Sequence, residues 1–304
     1  MIKKFFLFAM AGGFLLIACG PSQTEKTFVE PPLDEITSTD PSREIEAIPS
    51  ATASPQFGIG STRMVEKDGM VQVYVPAGEF LMGSKDNDPL AFLQDEKPQR
   101  KIYLDAFWID QTEVTNKQYQ LCVASGQCTS LERKFSGYID SYHNNSDFAD
   151  FPVMYVDWYQ ANDYCEWAGR RLPTEAEWEK ASRGTDGFIY PWGDNPPDPS
   201  MLNYNQDFND GSTTRVGSYP AGASPFGALD MSGNVSEWVA DWYDEEFYQT
   251  APGRNPQGPS LGEKRVIRGG SFSSAEWILR CAGRSSQGPD EYYRGVGFRC
   301  ASST

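Results

Sequence analysis

Asp230 and Glu237 bracket a short turn containing Gly233 and Val235. Two carboxylates placed around two backbone carbonyls form a hard, geometrically loose oxygen set of the kind Ca²⁺ accepts. Thiol chemistry is the second candidate, since the chain has six cysteines. Cys122 and Cys128 flank Ser125-Gly126, where a tight turn could close a local bridge. Setting Cys19 apart, an odd number remains, so one thiol is left over unless it pairs between molecules. Zinc fits poorly, because the cysteines lack CxxC spacing and His143 is the only histidine. A Ser-His-Asp triad would need that same His143, which lies in the polar run Asp140 to Asn145 and reads as a surface residue. Carboxylate pairs could serve as acid and base, but 42 acidic residues make any chosen pair unspecific.

The formal charge is −16. Such a surface repels phosphate backbones, so nucleic acid is not an expected partner, whereas divalent cations and cationic ligands are favoured.

The elements that must position these residues occupy the later part of the chain. Residues 1–18 read as a signal peptide, with Lys3 and Lys4 followed by an apolar run from Phe5 to Ile17, too short to span a bilayer comfortably. Leu16-Ile17-Ala18-Cys19 resembles a bacterial lipobox, with Cys19 as the lipidated residue. This predicts an exported lipoprotein, anchored at Cys19 on the periplasmic or extracellular face of the cell envelope. Residues 19–61 are rich in Pro, Ser, Thr and Glu and predict a disordered tether. The globular domain is expected over 62–304.

Within it, Val71 to Val75 alternates as a strand, a second strand follows at Glu79 to Gly83, and Lys101 to Ile109 reads as one further alternating strand. Three helices are expected: Thr115 to Ala124, Trp158 to Ala168 stopped by Gly169, and one opened by the capping box Thr174-x-x-Glu177 and running to Ser182. Beyond Gly184 nearly everything reads as loop, which argues for metal ions as ordering devices. Glu177 and Glu179 read as cap and surface groups. Trp158, Trp167, Trp178 and Trp192 read as packing aromatics, and Arg171, Arg268 and Arg299 as buried partners for carboxylates.

A resemblance becomes specific once the motifs are set in order. They are Pro76 to Ser84, Phe107 to Asp110 with Glu113 to Asn116, Pro152 to Trp158, Tyr164 to Gly169, Arg171 to Glu179, Tyr190 to Gly193, Phe226-Gly227, Asp230 to Val235, Glu237-Trp238, Arg268 to Phe272, and Gly297 to Ala301. Together they resemble the formylglycine-generating, or sulfatase-modifying factor, family across nearly the whole domain. The resemblance implies a C-type-lectin-like α+β fold, rich in loops and poor in regular secondary structure. It implies one or two Ca²⁺ sites. At the first, Asp230 and Glu237 give side-chain oxygens while Gly233 and Val235 give carbonyls. The second maps to Asn203, the Tyr204 carbonyl, Asp210 and the Ser212 carbonyl. It also pairs Cys165 with Cys300. Ser182 stands where a partner of Cys281 is expected, which makes Cys281 the leftover thiol.

The family enzyme oxidises a substrate cysteine using O₂ and a Cu(I) ion held by two cysteines. Here Ser274 falls at the first cysteine position and the second is absent. A protonated hydroxyl is a hard donor and cannot replace a thiolate on soft Cu(I), so copper is not expected. Ser236 also replaces a family tryptophan. A groove near Ser236, Trp238, Ser271, Ser274 and Trp277 is therefore expected to bind rather than to oxidise, taking a peptide, a glycan or an envelope protein. The competing readings are an oxidoreductase with an altered site and a structural envelope component.

Overall fold

The computed structural model describes residues 57–91, 93–131, 142–209 and 211–304. The signal peptide, Cys19, most of the tether and Asp210 lie outside the described residues. Packing begins inside the stretch read as tether: the Phe57 ring meets Trp108 edge-on at 4.9 Å.

The first sheet joins both ends of the domain. β1 (Thr62–Met64) pairs with β2 (Val71–Val75), which pairs with the central strand β5 (Phe107–Asp110), and β5 pairs with β10 (Ala301–Ser303) at the C-terminus. Between β2 and β5 a separate hairpin forms from β3 (Gly78–Met82) and β4 (Arg100–Leu104). The single strand expected from Lys101 to Ile109 is thus two strands in different sheets. The alternation breaks because β5 is covered on both faces, so Phe107, Trp108, Ile109 and Asp110 are all buried.

The helices follow their caps. α1 (Asn116–Ala124), α2 (Trp158–Trp167) and α3 (Glu175–Arg183) each begin with a closed capping box, from Thr115/Gln118, Asp157/Gln160 and Thr174/Glu177. Gly169, just past α2, sits at φ 73°, where glycine is favoured. Cys165 on α2 is bridged to Cys300 beside β10, and Cys122 to Cys128 after α1.

The region beyond Gly184 holds more structure than its texture promises. β6 (Ser236–Trp242) carries antiparallel β7 (Arg265–Arg268) on one side and parallel β9 (Val296–Phe298) on the other, with β8 (Arg284–Gln287) beyond β7; the one-turn helix α4 (Phe247–Thr250) lies between β6 and β7. The apolar pattern hid this sheet because its inward positions include Glu237, Arg268 and Arg284, whose charges are neutralised by pairing.

α3 organises that pairing. Every one of its residues is buried, so Glu179 is not the surface group its position suggested. Glu179 takes Arg268 at 2.7 Å and Arg183 at 2.8 Å, while Glu175 takes Arg268 and Arg284, each at 2.8 Å. Trp178 and Trp238 fill separate cores on either side of β6.

Candidate functional site

Two bends with positive φ build the first site. Asp230 sits at φ 55°, Gly233 at 79° and Asn234 at 61°. A side chain at Gly233 would collide with the Asn203 carbonyl, so only glycine fits this crossing. Asp230 Oδ2 accepts the Gly217 N–H at 2.6 Å. Glu113, just past β5, lies beside Asp230 and is fully buried. Its Oε2 accepts from Asn234 Nδ2 at 3.3 Å, and its Oε1 has no partner. Burial, and then the charges of Asp230 and Glu237, push the Glu113 carboxyl well above the usual range. Asp230 is raised too, first by burial.

Glu237 is committed elsewhere. Arg299 grips both of its oxygens, at 2.7 and 2.8 Å, and Trp178 Nε1 donates to Oε2 at 2.8 Å. Glu237 is thus the counterion of Arg299, while the carboxylate oxygen without a hydrogen-bond partner belongs to Glu113. Among the described residues no three acidic, histidine or cysteine side chains gather in metal-binding geometry. A cation here would rest on Glu113, Asp230 and the carbonyls of Gly233 and Val235.

Of the second expected set, Asp210 lies outside the described residues. Asn203 Nδ2 donates to the Ser212 carbonyl at 2.8 Å, and the Tyr204 carbonyl accepts from Gln206 Nε2 at 3.4 Å. Asn203 and Ser212 thus meet, though as donor and acceptor.

The expected groove is a small cavity of about 100 Å³, lined by Ser236, Gly269, Gly270, Ser274, Ile278 and Ser285 with the paired Arg268 and Arg284. Ser274 Oγ accepts the Ser271 N–H at 2.9 Å, so the hydroxyl closes its own turn. Trp277 is 40% exposed beside Ile278. Trp238 is not a groove residue: it is fully buried in the second core and donates to the Val156 carbonyl at 2.9 Å. The register of β6 puts it on the same side as Ser236, but the packed helices and β9 cover it.

No pair of thiols reaches this cavity among the described residues. Four cysteines are bridged, and the fifth, Cys281, is buried with its Sγ 2.9 Å from Ser182 Oγ. The residues around Ser274 therefore do not fit a thiolate-held copper ion. His143 Nδ1 is 3.0 Å from Asn116 Oδ1.

Two residues of the site escaped the sequence reading. Glu113 and Asn234 both lie within motifs already singled out. The signal was an acid two positions before a helix cap, whose burial no periodicity reveals.

The comparisons agree with this architecture. A sequence profile of the sulfatase-modifying factor enzyme 1-like domain matches residues 59–304. The chain is 38% identical over 251 residues to a protein of Chlamydia caviae named serine/threonine-protein kinase pkn1; the match takes 75% of this chain and 37% of that one. It therefore spans little more than a third of the length of that relative. It is 33% identical over 280 residues to the formylglycine-generating enzyme of Bos taurus, covering 75% of this chain and 74% of the enzyme. In fold it is similar to PvdO from Pseudomonas aeruginosa, with a TM-score of 0.67 at 24% identity over 82% of this chain and 100% of that one. With its motifs, its α+β layers and this match over the whole described domain, the chain belongs to the sulfatase-modifying factor enzyme 1-like, or formylglycine-generating, domain family.

Proposed function

We propose that this chain is a non-catalytic binding module of the cell envelope, lipid-anchored at Cys19, whose cavity at Ser236 and Ser274 receives one side chain of an extended peptide or one unit of a glycan. The observation that carries this reading is Ser274. By the resemblance it falls at the position of a copper-binding cysteine; its hydroxyl is used by the Ser271 N–H, and the unbridged thiol among the described residues, Cys281, is packed against Ser182. A scaffold that keeps its frame and loses both soft ligands retains a shaped pocket without its oxidant.

Calcium supports the frame in this reading. Glu113 and Asp230 are buried acids facing the same turn, with one carboxylate oxygen unpaired. Leaving such an oxygen unpaired costs about 1–3 kcal/mol, and a hard divalent ion would remove that cost.

The test of the pocket is a peptide and glycan array probed with the wild-type chain and with Ser236→Trp, which fills the cavity. Saturable binding by the wild type, weakened at least roughly tenfold by the substitution, is expected. Equal binding by both chains would remove the cavity from the account.

A further inference from the structure

The two strands that carry the pocket do not pair evenly. β6 and β7 match at Glu237–Arg268 and Trp238–Ile267, then lose register and meet again only at Trp242–Arg265. Val239, Ala240 and Asp241 therefore stand against the single residue Val266. Such a bulge frees backbone groups from the ladder, and they must find other partners. They do. Trp158 Nε1 donates to the Val239 carbonyl at 2.8 Å, and Arg265 Nη1 donates to the Ala240 carbonyl at 2.6 Å. The Ala240 N–H donates to the Pro173 carbonyl at 2.8 Å.

Arg265 does a second job at the same place. Its guanidinium carbon lies 3.7 Å from the Trp158 ring centre and 3.5 Å from that of Trp242, so one flat cation packs on both rings. All three side chains are half-buried. A planar fork can lie on an aromatic face and still aim an N–H along its own plane, which a lysine ammonium cannot do. The bulge also delivers Asp241 to α3, where its Oδ2 accepts the Glu175 N–H at 2.8 Å. Glu175 in turn holds Arg268, so the bulge and the buried charge network share one anchor.

We propose that Arg265 is a positioning residue of the pocket: clamped on Trp158 and Trp242, it fixes the β6–β7 bulge and so the register that brings Ser236 to the same cavity as Gly269 and Gly270. Ser236 opens β6, and the two glycines directly follow β7, so a slip in pairing moves one cavity wall against the other. The consequence for ligand binding rests on the pocket reading above. The lock on the two strands does not.

The experiment is residue-resolved hydrogen exchange of the full chain, wild type against Arg265→Lys and Trp242→Phe, with the same chains applied to the peptide and glycan array. Arg265→Lys should accelerate exchange of the Trp238, Ala240 and Ser236 amides about tenfold or more, while amides of the β3–β4 hairpin stay unchanged. Trp242→Phe keeps a ring and should accelerate them less. Array binding should weaken in the same order. Unaltered exchange at Ser236 in the Arg265→Lys chain would overturn the assignment, and so would equal acceleration in every sheet, which marks a general loss of stability. Array binding kept at the wild-type level while Ser236 exchanges faster would overturn the link to the pocket. A wild type that binds nothing on the array, with the local exchange pattern intact, sustains the role of Arg265 and removes the binding reading instead.

Discussion

Ser182 Oγ lies 2.9 Å from the Sγ of Cys281, inside the core between α3 and the turn before β8. A hydroxyl and a thiol thus meet where the resemblance would place a second long-range bridge. Burial pushes the Cys281 thiol up to about 12, which keeps it protonated and inert at neutral pH. Cys281 should therefore resist Ellman's reagent in the folded protein and react once denatured. Ser182→Cys should close a bridge and stabilise the domain by about 2–4 kcal/mol. A Ser182→Cys chain that stays reduced in air would show that the two positions do not meet as described.

Calcium at Glu113 and Asp230 makes a crossed prediction. At a hundredfold excess over its Kd, calcium should stabilise the wild type by about 2.7 kcal/mol, raising Tm, and chelation should reverse this. Glu113→Gln should lose most of that gain. In chelator, the same variant should be no less stable than wild type, because it removes a buried, unpaired acid. A Tm indifferent to calcium in the wild type would end the metal assignment.

Arg268 joins Glu175 and Glu179 with every partner buried. Arg268→Met should cost about 3–5 kcal/mol, since two buried carboxylates would each lose one of their two arginine partners, leaving Glu175 with Arg284 and Glu179 with Arg183. Denaturant unfolding measures this directly, and a loss below about 1 kcal/mol would mean that water reaches the network.

Two buried groups predict opposite pH dependences in separate windows. Asp241 is raised to about 8, first by burial and then by Glu175. Its folded form favours the proton, so this contribution to stability is whole below about pH 4 and is lost as pH rises through 8. Lys180 is lowered to about 8 by burial, with Nζ donating to the Pro76 and Gly78 carbonyls at 2.7 and 3.0 Å. The unfolded chain then binds the extra proton between about pH 8 and 10.5, so stability recovers across that range. Asp241→Asn keeps an acceptor for the Glu175 N–H and should stabilise by roughly 2 kcal/mol at pH 8, with little effect at pH 4. Lys180→Met should flatten the alkaline limb. Urea midpoints across pH 4–10 would expose either failure.

The three long helices were legible because their ends are written in side chains: Thr115, Gly169 and the Thr174–Glu177 pair each do a local job that needs no tertiary contact. The disulfide partners followed from the resemblance and are joined in the structure. What stayed hidden was set by packing at a distance. Nothing local in Arg265-Val266-Ile267-Arg268 says that its last arginine is buried between two glutamates of a helix some ninety positions earlier. Trp238 looked available for a ligand because its motif adjoins the pocket, yet α2 and β9 cover it. Glu113 carried no periodic signal, and only the fold brings it to Asp230.

We propose that this domain keeps the frame of its family without the copper chemistry. An anaerobic Cu(I) titration of the full chain against a chelating indicator, followed by oxygen uptake with a Cys-x-Pro-x-Arg peptide, tests it most directly. No stoichiometric copper binding and no peptide-dependent oxygen uptake are expected. One tightly bound Cu(I) per chain, with peptide oxidised in step with oxygen consumed, would contradict it.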